Sequence, residues 1–468
     1  MYDVVILGGG PAGYMAAIRG KQLGGSVALI EKEKLGGTCL QRGCIPTKTL
    51  AEGAYRHQLA LKSGEYGLQA SVKLDYPRLV NKKNQVVKQL TEGLDKLLAK
   101  LGVDIFRGEG TPFQEGPAHI RVEVDGAEGE RKNVRGRKLL IATGSKVSFP
   151  SIPGLIEAEP LTSDEALDLT EVPRDMIVMG AGVVSFELSY IFSALGTEKI
   201  TALCRRRILP GVEAELTRRL RAQLRRENIQ IQTGANVKAV RGKSGEEVEL
   251  ELDLNGKNTI LKAQSLLVTT GRGPNLQGLD LAGLKLETEQ GAIKVNKKME
   301  TSNPDIYAAG DVVGNYQLAH VAYREGEVAA ENMLGGKREI SYRAVPYCVF
   351  TQPQLAGVGL TEEEAKKNGV EYKVYKVPYG SIGRALAAGQ PFGLVKLIGD
   401  PQGKVLGLHL LGEMATELVH LGALALENDM YIKDLAKAIY AHPTFAEAVG
   451  EAAHQGLGMP AHMFPGLA

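Results

Sequence analysis

The chain contains no tryptophan, only four cysteines in 468 residues, and almost no net charge. Four cysteines in a chain of this length do not make a secreted disulfide framework. The formal charge of +2, with 56 basic and 54 acidic side chains, gives no electrostatic ground for a nucleic-acid partner. Long hydrophobic runs are also missing, apart from Met176 to Gly196, which is apolar over roughly 20 residues, the length of a membrane span. That stretch carries Glu187 and a Gly-x-Gly turn, so it reads as strand, turn and helix. The N-terminus enters an apolar strand at Tyr2 to Leu7, which leaves no room for a signal peptide. A cytoplasmic protein without a membrane segment is the expectation.

Glycine is plentiful, with 57 residues, and its placement is informative. Val4 to Leu7 is followed by Gly8-Gly9-Gly10-Pro11-Ala12-Gly13, a helical pattern to Leu23 and a second strand from Ser26 to Glu31. This is a βαβ unit with a dinucleotide fingerprint. Gly8 makes the turn, Gly10 lets a pyrophosphate approach, and Gly13 permits close helix packing. The helix N-terminus favours phosphate charge, and Glu31 is placed to accept ribose hydroxyls. The pattern returns as a strand from Met176 to Met179, the turn Gly180-Ala181-Gly182-Val183-Val184-Ser185, a helix to Leu195 and a strand from Lys199 to Leu203. Two such units imply two dinucleotides.

The second unit departs from the first. Ser185 stands at the third glycine position, and Cys204 stands where an acid would take a 2′-hydroxyl. Arg205, Arg206 and Arg207 follow at once. An acid repels a 2′-phosphate and arginines bind it, so NADP is favoured over NAD. The plainer alternative is an exposed basic turn beside an NAD site that lacks its acid. The basic run from Arg218 to Arg226 reads as a solvated helix face.

Two apolar strands end in Thr-Gly, Leu139 to Ser145 through Thr143-Gly144, and Leu266 to Arg272 through Thr270-Gly271. They read as crossings between the two nucleotide domains. Thr143 and Gly144 suit close backbone contact with a cofactor. Asp311, at the end of the strand beginning at Asp305, could take a ribityl hydroxyl. After about Ser341 strands and helices alternate without a glycine fingerprint, as in an α+β interface domain. The fold class expected is α/β, with two Rossmann-like dinucleotide-binding domains and a C-terminal α+β dimerisation domain.

Cys39 and Cys44 lie five residues apart in Gly36-Gly37-Thr38-Cys39-Leu40-Gln41-Arg42-Gly43-Cys44-Ile45-Pro46-Thr47-Lys48. Five helical residues rise about 7.5 Å, beyond the roughly 4.4–6.8 Å between Cα atoms that a disulfide tolerates. A bridge therefore needs a distorted helix. Pro46 can distort it, because it cannot bond back to the carbonyl of Arg42. Such a pair could be a reducible disulfide, two buried thiols or half of a metal site, although no further ligands stand nearby at zinc spacing. Cys204 and Cys348 stand alone and read as buried thiols. Near the C-terminus, His442-Pro443-Thr444-Phe445-Ala446-Glu447 offers an imidazole with a carboxylate to orient it. Disulfide exchange needs such a base, because the thiolate is the nucleophile.

Together these residues resemble the flavin disulfide reductase family with a redox-active cysteine pair, over essentially the whole chain. Within it, the segment from Gly36 to Lys48 and Gln317-Leu318-Ala319-His320-Val321-Ala322 with Glu325-Gly326 are most similar to lipoamide dehydrogenases. The second nucleotide site, with Ser185, Cys204 and its arginines, is more similar to glutathione reductases. The resemblance implies an FAD-binding domain of residues 1–147 and 273–340, an NAD(P)-binding domain of 148–272 and a dimerisation domain of 341–468. It implies a homodimer that reoxidises the dihydrolipoyl group of a lipoyl-bearing protein. Cys39 would be the interchange thiol and Cys44 the thiol against the flavin, with His442 and Glu447 as the base pair. Lys48, paired with Glu187, would stabilise flavin charge. Gly110, Ser145, Val237, Gly271, Ala319 and His320 are further cofactor-contact positions under the same resemblance. The alternative is an NADPH-dependent reductase of another low-molecular-weight disulfide.

Overall fold

The computed structural model describes residues 1–126 and 129–462. The chain folds as two compact units. One comprises Met1–Leu50, Asp75–Pro150 and Gly271–Ser341, the other Ala51–Leu74, Ser151–Thr270 and Tyr342–Ala468.

The first unit is built on a seven-stranded sheet, ordered Asp104–Arg107, Val27–Glu31, Tyr2–Leu7, Arg131–Ile141, His119–Asp125, Glu109–Gly116. Ile306–Ala308 joins it by pairing in parallel with the end of Arg131–Ile141. The strands from Asp104–Arg107 to Arg131–Ile141 are parallel, with Val5 opposite both Ala28 and Leu139. Buried on both faces, they read as continuous apolar runs, and Val5, Ala28, Ile30, Leu139 and Ile141 are almost wholly enclosed. Arg131–Ile141 runs antiparallel to His119–Asp125 over its first half and holds Ile306–Ala308 over its last three residues. It stops at Ile141, short of the Ser145 suggested by sequence, because Ala142–Gly144 turns out of the sheet and Gly144 takes a left-handed φ of +71°. A short strand, Ser145–Val147, then pairs antiparallel with Arg272–Pro274.

Two helices lie close together in this unit, Pro11–Gln22 and Ala319–Met333. A Cβ at Gly326 would sit 2.2 Å from the carbonyl oxygen of Ala12, so only glycine allows that approach. The N–H of Gly310 donates to the fully buried Glu325 at 2.7 Å, which ties the strand end at Ile306–Ala308 to the second helix.

The second unit holds a four-stranded parallel sheet, ordered Ile229–Thr233, Lys199–Cys204, Asp175–Met179, Ser265–Val268. A three-stranded antiparallel sheet, Ala235–Lys243, Glu247–Leu254 and Lys257–Ala263, packs into the same core through Val240, Leu250 and Leu252. The apolar stretch after Met176 is a strand to Met179 and a helix, Val183–Leu195. Among the described residues no helix is long and apolar enough to cross a membrane. The helix Ala214–Leu224 buries Leu216, Leu220 and Leu224, four residues apart, and leaves Arg218 and Arg219 exposed. That is the helical periodicity behind the solvated-face reading.

The C-terminal part is a five-stranded antiparallel sheet, ordered Tyr347–Val349, Gln354–Gly359, Val405–Gly412, Leu394–Gly399, Lys373–Pro378. Ala415–Glu427 packs on its middle strands and Glu447–Gly456 on Lys373–Pro378 and Leu394–Gly399. The α+β reading of this part and the two Rossmann-type sheets, one wholly parallel and one with a parallel core, agree with the fold class drawn from sequence.

Candidate active site

The two fingerprints repeat one design with different chemistry at its end. In the first, Gly8 has φ +107° and a Cβ at Gly13 would lie 1.8 Å from the Gly8 carbonyl oxygen. Both must be glycine for the helix Pro11–Gln22 to start where it does, with Gly10 as its N-cap. Glu31 ends its strand beside this loop. Its carboxylate accepts the N–H of Gly9 at 2.7 Å and that of Glu33 at 2.8 Å. Burial raises its pKa, and the Gly9 hydrogen bond and the charge of Arg107 oppose that rise.

In the second, Gly180 has φ +153° and Gly182 caps the helix Val183–Leu195. The serine that replaces the third glycine is wholly buried and hydrogen-bonds Thr269 through its hydroxyl at 2.8 Å. The substitution is absorbed by a partner inside the protein. Cys204 occupies the strand end, 1 % exposed, with its thiol donating to the carbonyl of Gly180 at 3.4 Å. Burial pushes this thiol up to about 11, against the pull of Arg221. The position that holds a carboxylate in the first unit therefore holds a neutral group in the second. Arg205 and Arg206 are exposed and make no hydrogen bond or ion pair among the described residues. Arg207 is taken by Glu363.

The cysteine segment is seated on the first fingerprint. The N–H of Gly36 donates to Gly9 O at 2.8 Å, and a Cβ at Gly37 would lie 2.7 Å from the Cα of Gly10. Cys39 lies in the helix Gly37–Arg42 and Cys44 opens the next, Cys44–Leu61. The break expected at Pro46 falls instead at Gly43, whose φ of −138° and ψ of −112° end the first helix. Pro46 is the third residue of the new helix, where the backbone N–H has no intrahelical acceptor in any case. Gly43 also provides space, since a Cβ there would meet Thr38 O at 2.7 Å and Cys39 Cα at 3.2 Å. Thr47 then starts the second helix by donating its N–H to Gly43 O at 3.0 Å and its hydroxyl to the same oxygen at 2.6 Å.

Cys39 and Cys44 are thiols, each half-buried. Among the described residues no cluster of metal-binding side chains occurs. A hydrogen bond with Cys44, then burial, then the charge of Cys44 hold the Cys39 thiol far up, while Lys48 one turn beyond Cys44 pulls it down. The two sulfurs are thus in contact with a cation beside them. Cys348 is half-buried rather than buried, its thiol 4.0 Å from Thr416 O at the edge of hydrogen bonding.

Ser145 and Asp311 meet, the serine hydroxyl donating to the carboxylate at 2.5 Å. Arg272, which no sequence motif singles out, completes this cluster by donating to the Ser145 hydroxyl at 2.9 Å and its carbonyl at 2.8 Å. Its position directly after Gly271 is the one signal that could have found it. Thr143 donates to Asn275 O at 2.8 Å, and Asn275 N–H returns to Gly144 O at 2.9 Å. Ala319 is the first residue of its helix, with exposed His320 beside it. Gly110 lies within its strand, where a Cβ would strike Leu7 at 2.6 Å. Val237 sits at a bulge opposite Leu252. Glu187, 3 % exposed, accepts the N–H of Phe350 at 2.9 Å.

In the second unit His442 Nδ1 lies 2.8 Å from Glu447 Oε1, and Thr444 N–H donates to Oε2 at 2.8 Å. Glu447 is the first residue of its helix, where the helix dipole favours negative charge. Burial works against its ionisation, but the His442 and Thr444 hydrogen bonds and the charges of His442 and His462 hold the carboxyl below its usual range. The imidazole is 77 % exposed, with its other nitrogen free of the carboxylate.

Two nucleotide loops, a contacting cysteine pair and an oriented imidazole define a nucleotide-dependent dithiol oxidoreductase. The comparisons agree. Residues 2–326 match the pyridine nucleotide-disulphide oxidoreductase model, and residues 345–453 match the dimerisation domain of the same family. Dihydrolipoyl dehydrogenase of Bacillus subtilis is 37 % identical over 98 % of this chain and 99 % of its own. The mitochondrial dihydrolipoyl dehydrogenase of Pisum sativum is 37 % identical over 98 % and 92 %. LpdA of Mycobacterium tuberculosis superposes with TM-score 0.89 at 26 % identity, over 97 % of this chain and 99 % of its own. The chain belongs to the pyridine nucleotide-disulphide oxidoreductase family. Its members work with FAD and a pyridine nucleotide, and the residues present fit both. A Cβ at Gly144, Gly182 or Gly271 would meet nothing within 4 Å, so these glycines leave open room beside their loops.

Proposed function

We propose that the chain reoxidises protein-bound dihydrolipoyl groups as a dihydrolipoyl dehydrogenase, working as a homodimer with a lipoyl-bearing partner protein. The observation that carries this reading is the pairing of two chemistries, thiols in contact at Cys39 and Cys44 and an imidazole held by a carboxylate at 2.8 Å. Full-length relatives named for that activity support it. FAD, when bound, supplies the two-electron link between the dithiol and the nicotinamide.

In this reading His442 takes a proton from the substrate dithiol, and Glu447 fixes the ring so that Nε2 faces the thiol. With the Cys39–Cys44 pair oxidised to its disulfide, the substrate thiolate attacks Cys39 Sγ, the Cys39–Cys44 bond breaks, and a mixed disulfide forms with Cys44 released as the thiolate. The second substrate thiolate displaces Cys39, so the substrate leaves as its disulfide and the pair is left reduced. Lys48 would stabilise negative charge on reduced FAD, and its charge also favours the thiolate of Cys39. Gly8, Gly10, Gly13 and Glu31, with Gly110, Thr143, Gly144, Ser145, Asp311, Ala319 and His320, would hold FAD. Gly180, Gly182, Ser185, Val237 and Gly271 shape the nicotinamide nucleotide site. Domain limits of 1–147 with 273–340, 148–272 and 341–468 go with these roles.

The finer preference is for NADP, supported by the neutral Cys204 and by the exposed Arg205 and Arg206. The same residues favour the second reading, an NADPH-dependent reductase of another small disulfide. The test is the initial rate of dihydrolipoamide oxidation with NAD⁺ and with NADP⁺, beside glutathione disulfide reduction by NADPH, on one flavin-loaded sample. Turnover with either nucleotide supports the lipoyl assignment, and the ratio decides the nucleotide. Failure with dihydrolipoamide and turnover with glutathione disulfide would replace it with the second reading.

A further inference from the structure

The loop that carries Arg205, Arg206 and Arg207 joins Cys204 to the helix Ala214–Leu224, and it is fixed along its length. At its start the Cys204 thiol holds to Gly180 O at 3.4 Å. In its middle the N–H of Leu209 donates to Ala181 O, inside the second glycine turn, at 2.7 Å. Leu209 is 2 % exposed and has a left-handed φ of +46°, a conformation that a bulky residue avoids unless its surroundings enforce it. At its end Glu213 caps the helix, its Oε1 accepting the N–H of Glu215 at 3.4 Å.

Glu213 is held from the C-terminal part of the chain. Lys396, on the strand Leu394–Gly399, is wholly enclosed and donates its ammonium to Glu213 Oε1 at 2.7 Å. The N–H of Glu362 donates to Glu213 Oε2 at 3.0 Å. The Glu362 carboxylate bonds Lys396 in turn, and Glu363 beside it takes Arg207. The helix Glu362–Lys367 and the strand of Lys396 therefore grip the loop at Arg207 and at Glu213. A buried ion pair is a weak source of stability, because desolvation offsets the attraction. What this one supplies is a fixed position, since both oxygens of Glu213 find their donors where the ammonium and the Glu362 N–H stand.

We propose that Lys396 is a positioning residue for nucleotide selection: through Glu213 it fixes the end of the loop and so sets where Arg205 and Arg206 stand for a 2′-phosphate. The inference rests on the reading of those arginines as the 2′-phosphate contacts. With Arg207 committed to Glu363, they are the two guanidinium groups that the loop offers an anion. A bidentate guanidinium contact depends on the fork meeting the phosphate in register, so a loop released at Glu213 binds NADP less tightly. NAD has no 2′-phosphate and does not draw on those arginines.

The test is calorimetric titration of the flavin-loaded protein with NADP⁺ and with NAD⁺, beside KM and kcat for both in dihydrolipoamide oxidation. Lys396→Met should weaken NADP⁺ binding by roughly three- to tenfold and raise its KM to match, with NAD⁺ binding unchanged. Glu213→Gln leaves Lys396 to Glu362 and Glu215 and should shift NADP⁺ in the same direction; it decides the matter if Lys396→Met does not fold. In the Arg205→Ala/Arg206→Ala double variant, adding Lys396→Met should weaken NADP⁺ no further. A merely structural role would lower the folded fraction alike for both nucleotides and leave the ratio of their affinities unchanged, which overturns the inference. If the double arginine variant binds NADP⁺ as the parent does, the 2′-phosphate reading itself fails and this inference with it. If that variant binds NADP⁺ weakly while Lys396→Met and Glu213→Gln keep the parent affinity, only this inference fails.

Discussion

Gly43 is the residue on which the geometry of the cysteine pair turns, and Gly43→Ala tests that directly. The added methyl would lie 2.7 Å from Thr38 O and 3.2 Å from Cys39 Cα. Both neighbours are backbone atoms, so no flexible side chain can give way. Relief requires the end of Gly37–Arg42 and the start of Cys44–Leu61 to part by roughly 0.5 Å or more to regain ordinary contact. Overpacking of this kind costs about 1–3 kcal/mol. The disulfide form, which needs the two Cα atoms within about 6.8 Å, bears more of that cost than the open dithiol. At about 30 mV per 1.4 kcal/mol for a two-electron couple, a differential of about 1–2 kcal/mol raises the dithiol–disulfide potential by roughly 20–45 mV. The assay is redox equilibration against glutathione with alkylation of free thiols, alongside thermal unfolding. Pro46→Ala is the paired control and should change the potential by less than about 10 mV, because its N–H would have no intrahelical acceptor. An unchanged potential in Gly43→Ala, or a larger shift in Pro46→Ala, would refute the account of the break.

Three further outcomes are expected. Cys204→Glu restores a carboxylate at the strand end beside Gly180 and should cut kcat/KM for NADP⁺ by at least about tenfold while sparing NAD⁺; equal effects on both nucleotides would argue against the strand end as the specificity position. Lys396→Met should destabilise the protein by about 3–5 kcal/mol in denaturant titration, because the wholly buried ammonium bonds Glu213 and Glu362, with Glu215 beside it, and its loss leaves the buried Glu213 without its cation. Acid stability follows from Glu215, where burial opposes ionisation but Lys376, Arg219 and Lys396 together hold the carboxyl at about 2 against an ordinary 4.5. A depressed carboxyl contributes stability above its unfolded pKa and loses it as pH falls through the folded one. Unfolding free energy should therefore drop by about 1–2 kcal/mol from this group, after discounting for solvent, between pH values of about 4.5 and 2; in Lys376→Met the drop should shrink, as urea titrations at several pH values would show.

The alternation of apolar strand, glycine turn and helix was readable from sequence because it rests on local rules. A φ of +107° at Gly8 or +71° at Gly144 needs glycine whatever the rest of the chain does. The apolar runs of the parallel strands and the four-residue spacing of Leu216, Leu220 and Leu224 likewise reflect burial patterns that hold residue by residue. The cysteine pair and the His442 to Glu447 segment could be picked out because their spacing in the chain is short. Other features depended on atoms distant in sequence. Ser185 is tolerated because Thr269, 84 residues on, shares a hydrogen bond with its hydroxyl. Arg272 gains meaning only where it reaches Ser145, 127 residues away. Lys396 reads as a surface lysine until Glu213 and Glu362 enclose it. The break before Cys44 depends on Thr38 O and Cys39 Cα closing around Gly43, so the proline drew a prediction that the glycine deserved. Sequence by itself determined the elements, the two nucleotide loops and the family, because backbone sterics and hydrophobic periodicity act over a few residues. Tertiary structure alone decided which polar groups are partnered, since a buried hydrogen bond or ion pair is fixed by neighbours that the chain order does not reveal.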